Sequence, residues 1–152
     1  MAVHFERMWE FETWANRRAL ESIAQLGEQG ECLRLFGHIL AAQRAWLTRL
    51  DGCDSSQIEL FPTPAIEEGE AQVAENDRRA LAYLAAVDDD SFGREIGYSN
   101  QTGKSFRNTP RDILTHLGMH SHYHRGQIAI LVRQAGSTPA VTDFIVFCRL
   151  GR

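Results

Sequence analysis

The stretch TPRDILTHLGMHSHYHRGQIAILVRQAG, Thr109 to Gly136, decides how the rest of the chain is read. Both of its ends carry helix signals. Thr109 is a good N-cap, Pro110 suits the first helical position, and Asp112 follows three residues after the cap. At the far end, Gly136 can take the left-handed conformation that closes a helix after Ala135. About 26 residues lie between these signals, roughly 39 Å of helix.

Inside that helix, His120, His122 and His124 account for half of the chain's six histidines. His120 and His124 are four apart and stack on one face, and His116 extends the row upstream. His122 points away, beside Arg125 and Arg133, toward solvent. The row shares its arc with Ile113, Leu117, Gln127 and Leu131, so it is expected to turn toward the core. Polar rings on a buried stripe cost free energy unless each nitrogen finds a partner. A metal ion is one such partner, because imidazoles at i and i+4 have Cβ atoms roughly 5–6 Å apart. Buried histidines with backbone or water partners are the other reading. On the HxxxH spacing alone the two are evenly matched.

The preceding segments read as three more amphipathic helices. Val3 to Leu26 places Phe5, Trp9, Leu20 and Ile23 on one face together with Glu12 and Asn16, and sends Trp14 to the opposite side. Glu31 to Leu50 places Leu35, His38, Ala42, Ala45 and Trp46 on one stripe. His38 is thus the natural third ligand from another helix, and Gly37 and the neighbouring alanines are expected to leave room around it. Asp51-Gly52 ends this segment, and a loop runs through Phe61-Pro62-Thr63-Pro64, where proline forbids a continuing helix. Ile66 to Val87 is a weaker pattern, with Val73, Leu81 and Leu84 as the expected buried positions. Its alanines favour helix and allow close approach.

Between residues 92 and 108 the pattern changes. REIGYSNQTGKSFRN, Arg94 to Asn108, has β-branched and aromatic residues on either side of a Gly-containing turn, so a short hairpin or ordered loop is expected. After Pro139, the apolar run VTDFIVFCRL reads as a short terminal helix or strand starting near Asp143-Phe144. The expected fold is all-α, a four-helix bundle forming a single domain over residues 1–152.

Bulk properties narrow the function. A net charge of −4 with 24% charged residues is ordinary, and neither Arg17-Arg18 nor Arg78-Arg79 makes a basic patch of the kind nucleic acid needs. Cys32, Cys53 and Cys148 are scattered and odd in number, which supports neither a disulfide framework nor a thiolate zinc site. MAVHFERMWEFETWANRR lacks the unbroken apolar run of a signal peptide, and no apolar segment approaches the ~20 residues of a membrane span. A soluble cytoplasmic protein with reduced thiols is expected.

Three stretches together resemble the DinB/YfiT-like metalloenzyme family, a family of small damage-inducible bundles. Its signature helix carries H-x3-H-R-G-Q followed by Ile or Val, as in His120 to Ile128 here. Its first helix carries YxxWANxRLL, matched by FETWANRRAL, Phe11 to Leu20, and its second carries LxHIxxAxxxWLxRL, matched by FGHILAAQRAWLTRL, Phe36 to Leu50. The tail motif P-x-x-x-D-F appears as Pro139 to Phe144. The resemblance thus covers nearly the whole chain. It implies a four-helix bundle, usually a homodimer, that holds a divalent ion through His38, His120 and His124. A histidine matching His116 occurs in many members, as a supporting group or an occasional fourth ligand. Characterised relatives in the family include low-molecular-weight thiol S-transferases and a mycothiol-dependent isomerase.

Three imidazoles leave an ion one open position, the catalytic pattern, and an ion there would lower the pKa of a thiol or water. Zinc and nickel are expected first, with iron next, since imidazole suits all of these. A metal-dependent transferase acting on a small thiol is the leading function. A non-catalytic metal-binding stress-response protein is the alternative, as is a metal-dependent hydrolase or isomerase. Hydrolysis would need a general base, and the chain has no HExxH glutamate. Glu12 reads as helix-end solvation or packing, Asn16 as a tie between helices, and Arg125 as a brace of the bundle or dimer. The sequence assigns no catalytic residue. Trp14, an aromatic on the polar side of its helix, is expected to mark a partner surface.

Overall fold

The computed structural model describes residues 1–151. Four long helices form the bundle: α1 (Ala2–Ala24), α2 (Gly30–Leu50), α3 (Ile66–Ala86) and α4 (Pro110–Gln134). A 3₁₀ turn at Asp89–Gly93 leads into strands β1 (Ile96–Ser99) and β2 (Ser105–Asn108), and α5 (Phe144–Arg149) closes the chain. The helices are arranged α1, α3, α2, α4 around the bundle, so α4 packs between α1 and α2.

Local chemistry explains the ends of α4. Thr109 Oγ1 accepts from Asp112 N at 3.2 Å, and Gly136 sits at φ +79°. That is the left-handed conformation that costs glycine least. The region expected to be a hairpin is one: β1 and β2 pair antiparallel, with Ile96 opposite Asn108 and Ser99 opposite Ser105. It docks on α2 through Tyr98 and Trp46, whose ring centroids are 5.0 Å apart. Arg49, buried beneath, lies over both rings and donates to Ser55 Oγ at 2.9 Å and Gln101 Oε1 at 3.0 Å. The terminal apolar run is helical.

Besides a smaller cluster of Phe11, Ala15 and Phe147 that joins α1 to α5, the bundle has two large apolar halves. Ile23, Leu33, Phe36, Ile39, Val73, Ile128 and Val132 fill one. Phe5, Trp9, Leu47, Leu84, Phe92, Ile113 and Leu117 fill the other. On each of the four long helices buried polar residues separate them: Glu12 and Asn16 on α1, Gln43 on α2, Asn76 on α3, and Ser121 and Arg125 on α4. Arg125 donates to Glu12 Oε1 at 2.8 Å, Glu12 Oε2 at 3.0 Å and Asn16 Oδ1 at 2.9 Å. Its side chain and that of Glu12 are 1% and 3% exposed. Gln43 donates to Glu12 Oε2 and Ser121 Oγ, both at 3.3 Å, and accepts from Asn76 Nδ2 at 3.2 Å. Bonds across this layer satisfy most of the groups that would be costly to bury alone, Arg125 Nε excepted among the described residues.

This layer corrects the expected phase of α4. The inward stripe is Ile113, Leu114, Leu117, Ser121, Arg125, Ile128 and Val132, and not the histidine row. His120 and His124 lie half-buried on the flank facing α2, while His116 is exposed. Arg125 therefore does not share the solvent face of His122. Its partner on α1 draws it inward, and helical patterning cannot anticipate a charge matched on another helix.

Three smaller expectations also change. Leu81 is 39% exposed, because Val73, Asn76, Ala80 and Leu84 form the inward stripe of α3. Trp14 is half-buried: Phe147 of α5 packs against it at 5.7 Å between ring centroids and Phe11 at 6.1 Å. Gly37 leaves no room around His38. The space its missing side chain frees is filled by the Pro62 carbonyl and the Pro64 ring.

The buried ion pair makes a prediction about stability. Replacing Arg125 by Ala leaves Glu12 charged and unpaired, at a cost of about 3–5 kcal/mol. The double replacement Glu12→Met with Arg125→Met should recover most of that loss in a urea denaturation series. A single Arg125→Ala variant within 1 kcal/mol of the parent would mean that the pair does not hold the interior together.

Candidate metal centre

His38 rises from α2, and His120 and His124 from adjacent turns of α4, and the three rings meet on the flank where these helices pack. One ligand atom from each lies within 4.8 Å of the others, so the group could hold a metal ion. His38 Nε2 and His120 Nε2 are 3.2 Å apart. Two nitrogens bound about 2.0–2.1 Å from a tetrahedral ion stand roughly 3.3 Å apart, so this spacing fits.

Outer contacts orient two of the rings. His38 Nδ1 lies 2.7 Å from the Leu60 carbonyl oxygen. A carbonyl only accepts, so His38 carries its proton on Nδ1 and its Nε2 presents a lone pair to the other rings. His124 Nδ1 lies 2.7 Å from Gln127 Oε1, which leaves Nε2 free by the same logic. His120 Nδ1 is buried with no partner among the described residues. In the absence of an ion, His120 can satisfy only Nε2, by donating to His38. Holding the second nitrogen of a ligating histidine by an acceptor is the usual support for a metal site.

The other expected residues fall elsewhere. The ring of His116 is 5.5 Å from that of His120 and packs edge-on against Trp46, outside the ligand group. His122 and His4 line an apolar cavity of about 330 Å³ between α1 and α4, on the opposite flank. That cavity is lined mainly by apolar side chains, whereas the convergent imidazoles lie at the histidine trio. Glu12 and Asn16 belong to the central polar layer. Leu60 and Gln127 were missed as supports. A backbone carbonyl has no sequence signature, whereas Gln127, three residues after His124 on the same helix, was within reach of the helical spacing rule.

The site is electrostatically suited to a cation only while its rings are neutral. His120 is pushed down to about 4, by burial first and then by the imidazoles of His124, His38 and His116. Burial is also the first cause lowering His38, and the contact with Leu60 opposes it. Among the described residues, no carboxylate or thiol joins the group.

A model of the DinB family matches residues 1–150. Protein DinB of Bacillus subtilis (strain 168) is 20% identical over 156 residues, covering 91% of this chain and 90% of that protein. Uncharacterized protein YrdA of the same organism is 26% identical over 144 residues, covering 89% of this chain and 83% of that protein. No solved structure matches the chain.

The depressed His120 contributes to the acid behaviour of the metal-free protein. Unfolded, this ring titrates near 6.5. As pH falls from about 6.5 toward 4, the unfolded chain takes up a proton here and the folded chain does not, so stability present above 6.5 is progressively lost. In chelator-treated protein, an NMR titration should place the His120 midpoint well below 6.5, and His120→Ala should flatten the acid limb of the stability curve. A His120 midpoint near 6.5 would contradict the burial of this ring.

Proposed function

Because the chain belongs to the DinB family, we propose that it is a divalent-metal protein and that the metal serves the transfer of a small thiol onto an electrophile. His38, His120 and His124 would hold the ion, zinc or nickel first and iron next, as imidazole ligands suit these metals. The observation that carries this reading is the convergence of three imidazole nitrogens, two of them 3.2 Å apart, with the outer nitrogens of His38 and His124 engaged.

A bound ion would supply a Lewis acid that makes a thiol acidic near neutral pH. The chain's own residues supply the rest. Leu60 and Gln127 keep two ligand rings in the orientation and tautomer that face inward. Tyr123 packs against His124 at 5.1 Å and Phe61 against His38 at 4.0 Å, so the surroundings of the site are aromatic. In the reaction, the thiol loses its proton to solvent and its sulfur forms a bond to the electrophilic carbon. A leaving group departs with the electron pair of the bond it breaks. Hydrolysis fits less well. Glu12, the acid that the sequence places nearest, is held by Arg125 and Gln43 and unavailable as a base.

Cytoplasmic location and a homodimer are part of the same proposal. Among the described residues, no helix is long and apolar enough to cross a membrane. For the dimer the support is the family resemblance, since α5 partly covers Trp14. A monomer mass in sedimentation equilibrium at micromolar concentration would overturn it.

The ligand set and the open position are tested together with cobalt(II). Replacing His38, His120 or His124 by Ala should each reduce bound cobalt at least tenfold, while His122→Ala should match the parent. His116→Ala should retain most of the metal, and adding a small thiol to the parent should change its visible spectrum. A thioether product that forms with metal and disappears with chelator would establish transfer. Tight cobalt binding without product across a range of thiols and electrophiles would instead favour a non-catalytic metal-binding stress protein. Equal metal loss from all the histidine variants, His122→Ala included, would reject the site.

A further inference from the structure

We propose that the segment Leu60–Pro64 is a clamp that sets His38 for the ion, with Phe61 as its positioning residue. The inference rests on the metal reading above. His120 and His124 share one helix, so the backbone of α4 fixes their relation to one another. His38 comes from a different helix, and its ring is half-buried and free to rotate unless something holds it. Three linked contacts between the loop and α2 hold it.

The first is the Leu60 carbonyl, 2.7 Å from Nδ1, which selects the tautomer. The second is Phe61. Its ring lies parallel to the imidazole, with 4.0 Å between centroids and an interplanar angle of 2°. Phe61 is nevertheless 48% exposed, so burial in the core does not account for its position. Arg34 lies over the same phenyl ring at 5.4 Å and is itself tied to Glu31 by bonds of 2.7 and 2.8 Å. The third is Gly37, immediately before His38. A Cβ there would collide with the Pro62 carbonyl oxygen and come within 2.8 Å of Pro64 Cδ. Glycine in the middle of a helix costs roughly 1 kcal/mol relative to alanine. Here it lets the loop reach the helix beside the ligand, and the two prolines stiffen the segment that arrives there.

The test uses Phe61→Ala and Gly37→Ala, with Phe61→Tyr as the conservative control. Neither Ala variant removes a ligand. Alanine favours helix at position 37, and Phe61 is exposed, so both should fold. In metal-free protein, nitrogen-15 NMR of the imidazoles should show the His38 proton on Nδ1 in the parent and a mixture of tautomers in both Ala variants. Cobalt titration should show affinity 10–100-fold weaker for both, the range typical of lost outer support, with Phe61→Tyr close to the parent. Parental cobalt affinity in Phe61→Ala and Gly37→Ala, with His38 still protonated on Nδ1, would overturn the clamp. A parent protein that takes up no cobalt would overturn the metal reading and the clamp with it, and is distinguished because the failure then precedes any substitution.

Discussion

The position of both candidate ligands on α4, His120 and His124, depends on one buried ion pair, Arg125 with Glu12. Arg125 follows His124 directly, and consecutive side chains on a helix diverge by about 100°. When Arg125 points across the bundle to α1, His124 and His120 must face the flank against α2, where His38 waits. Rotating α4 by one residue would expose Arg125 and leave Glu12 charged and unpaired in the interior, which costs several kcal/mol. The pair is better understood as a register device than as a source of stability. Well-packed apolar residues in its place would often be as stable, but they would not penalise a rotation.

The same layer explains why the centre lies on the flank of the bundle and not on its axis. The axis at that height is already filled by Glu12, Asn16, Gln43, Asn76 and Ser121, tied helix to helix. The half-buried flank gives the imidazoles two conditions at once. Enough burial keeps His120 neutral, and enough openness lets an outside molecule reach it. With no acid in the group, the charge of a bound dication would stay undiminished, and that favours drawing a proton from a neutral thiol.

Much of this was legible in the sequence wherever the signal is local. Thr109, Pro110 and Gly136 marked the ends of α4 through cap chemistry, and the glycine turn between two aromatic stretches marked the hairpin. His38, His120 and His124 were legible as a group through spacing and the family motif, and they do meet. Features that depend on a partner far along the chain were not. Arg125 was legible as a brace of the bundle or dimer, but its inward direction was not, because its partner Glu12 is 113 residues away. Gln43, Asn76 and Ser121 are single polar letters whose value comes only from meeting one another. Gly37 looked like empty space around His38, and the proline loop turned out to occupy it.

The central claim is that three imidazoles, and no other side chain, bind one ion. X-ray absorption on the zinc-loaded protein tests it directly. The account predicts a first shell of nitrogen and oxygen only, at about 2.0–2.1 Å, with outer-shell scattering from three imidazoles and one further light atom. A sulfur at about 2.3 Å, or scattering from fewer than three imidazoles, would contradict it.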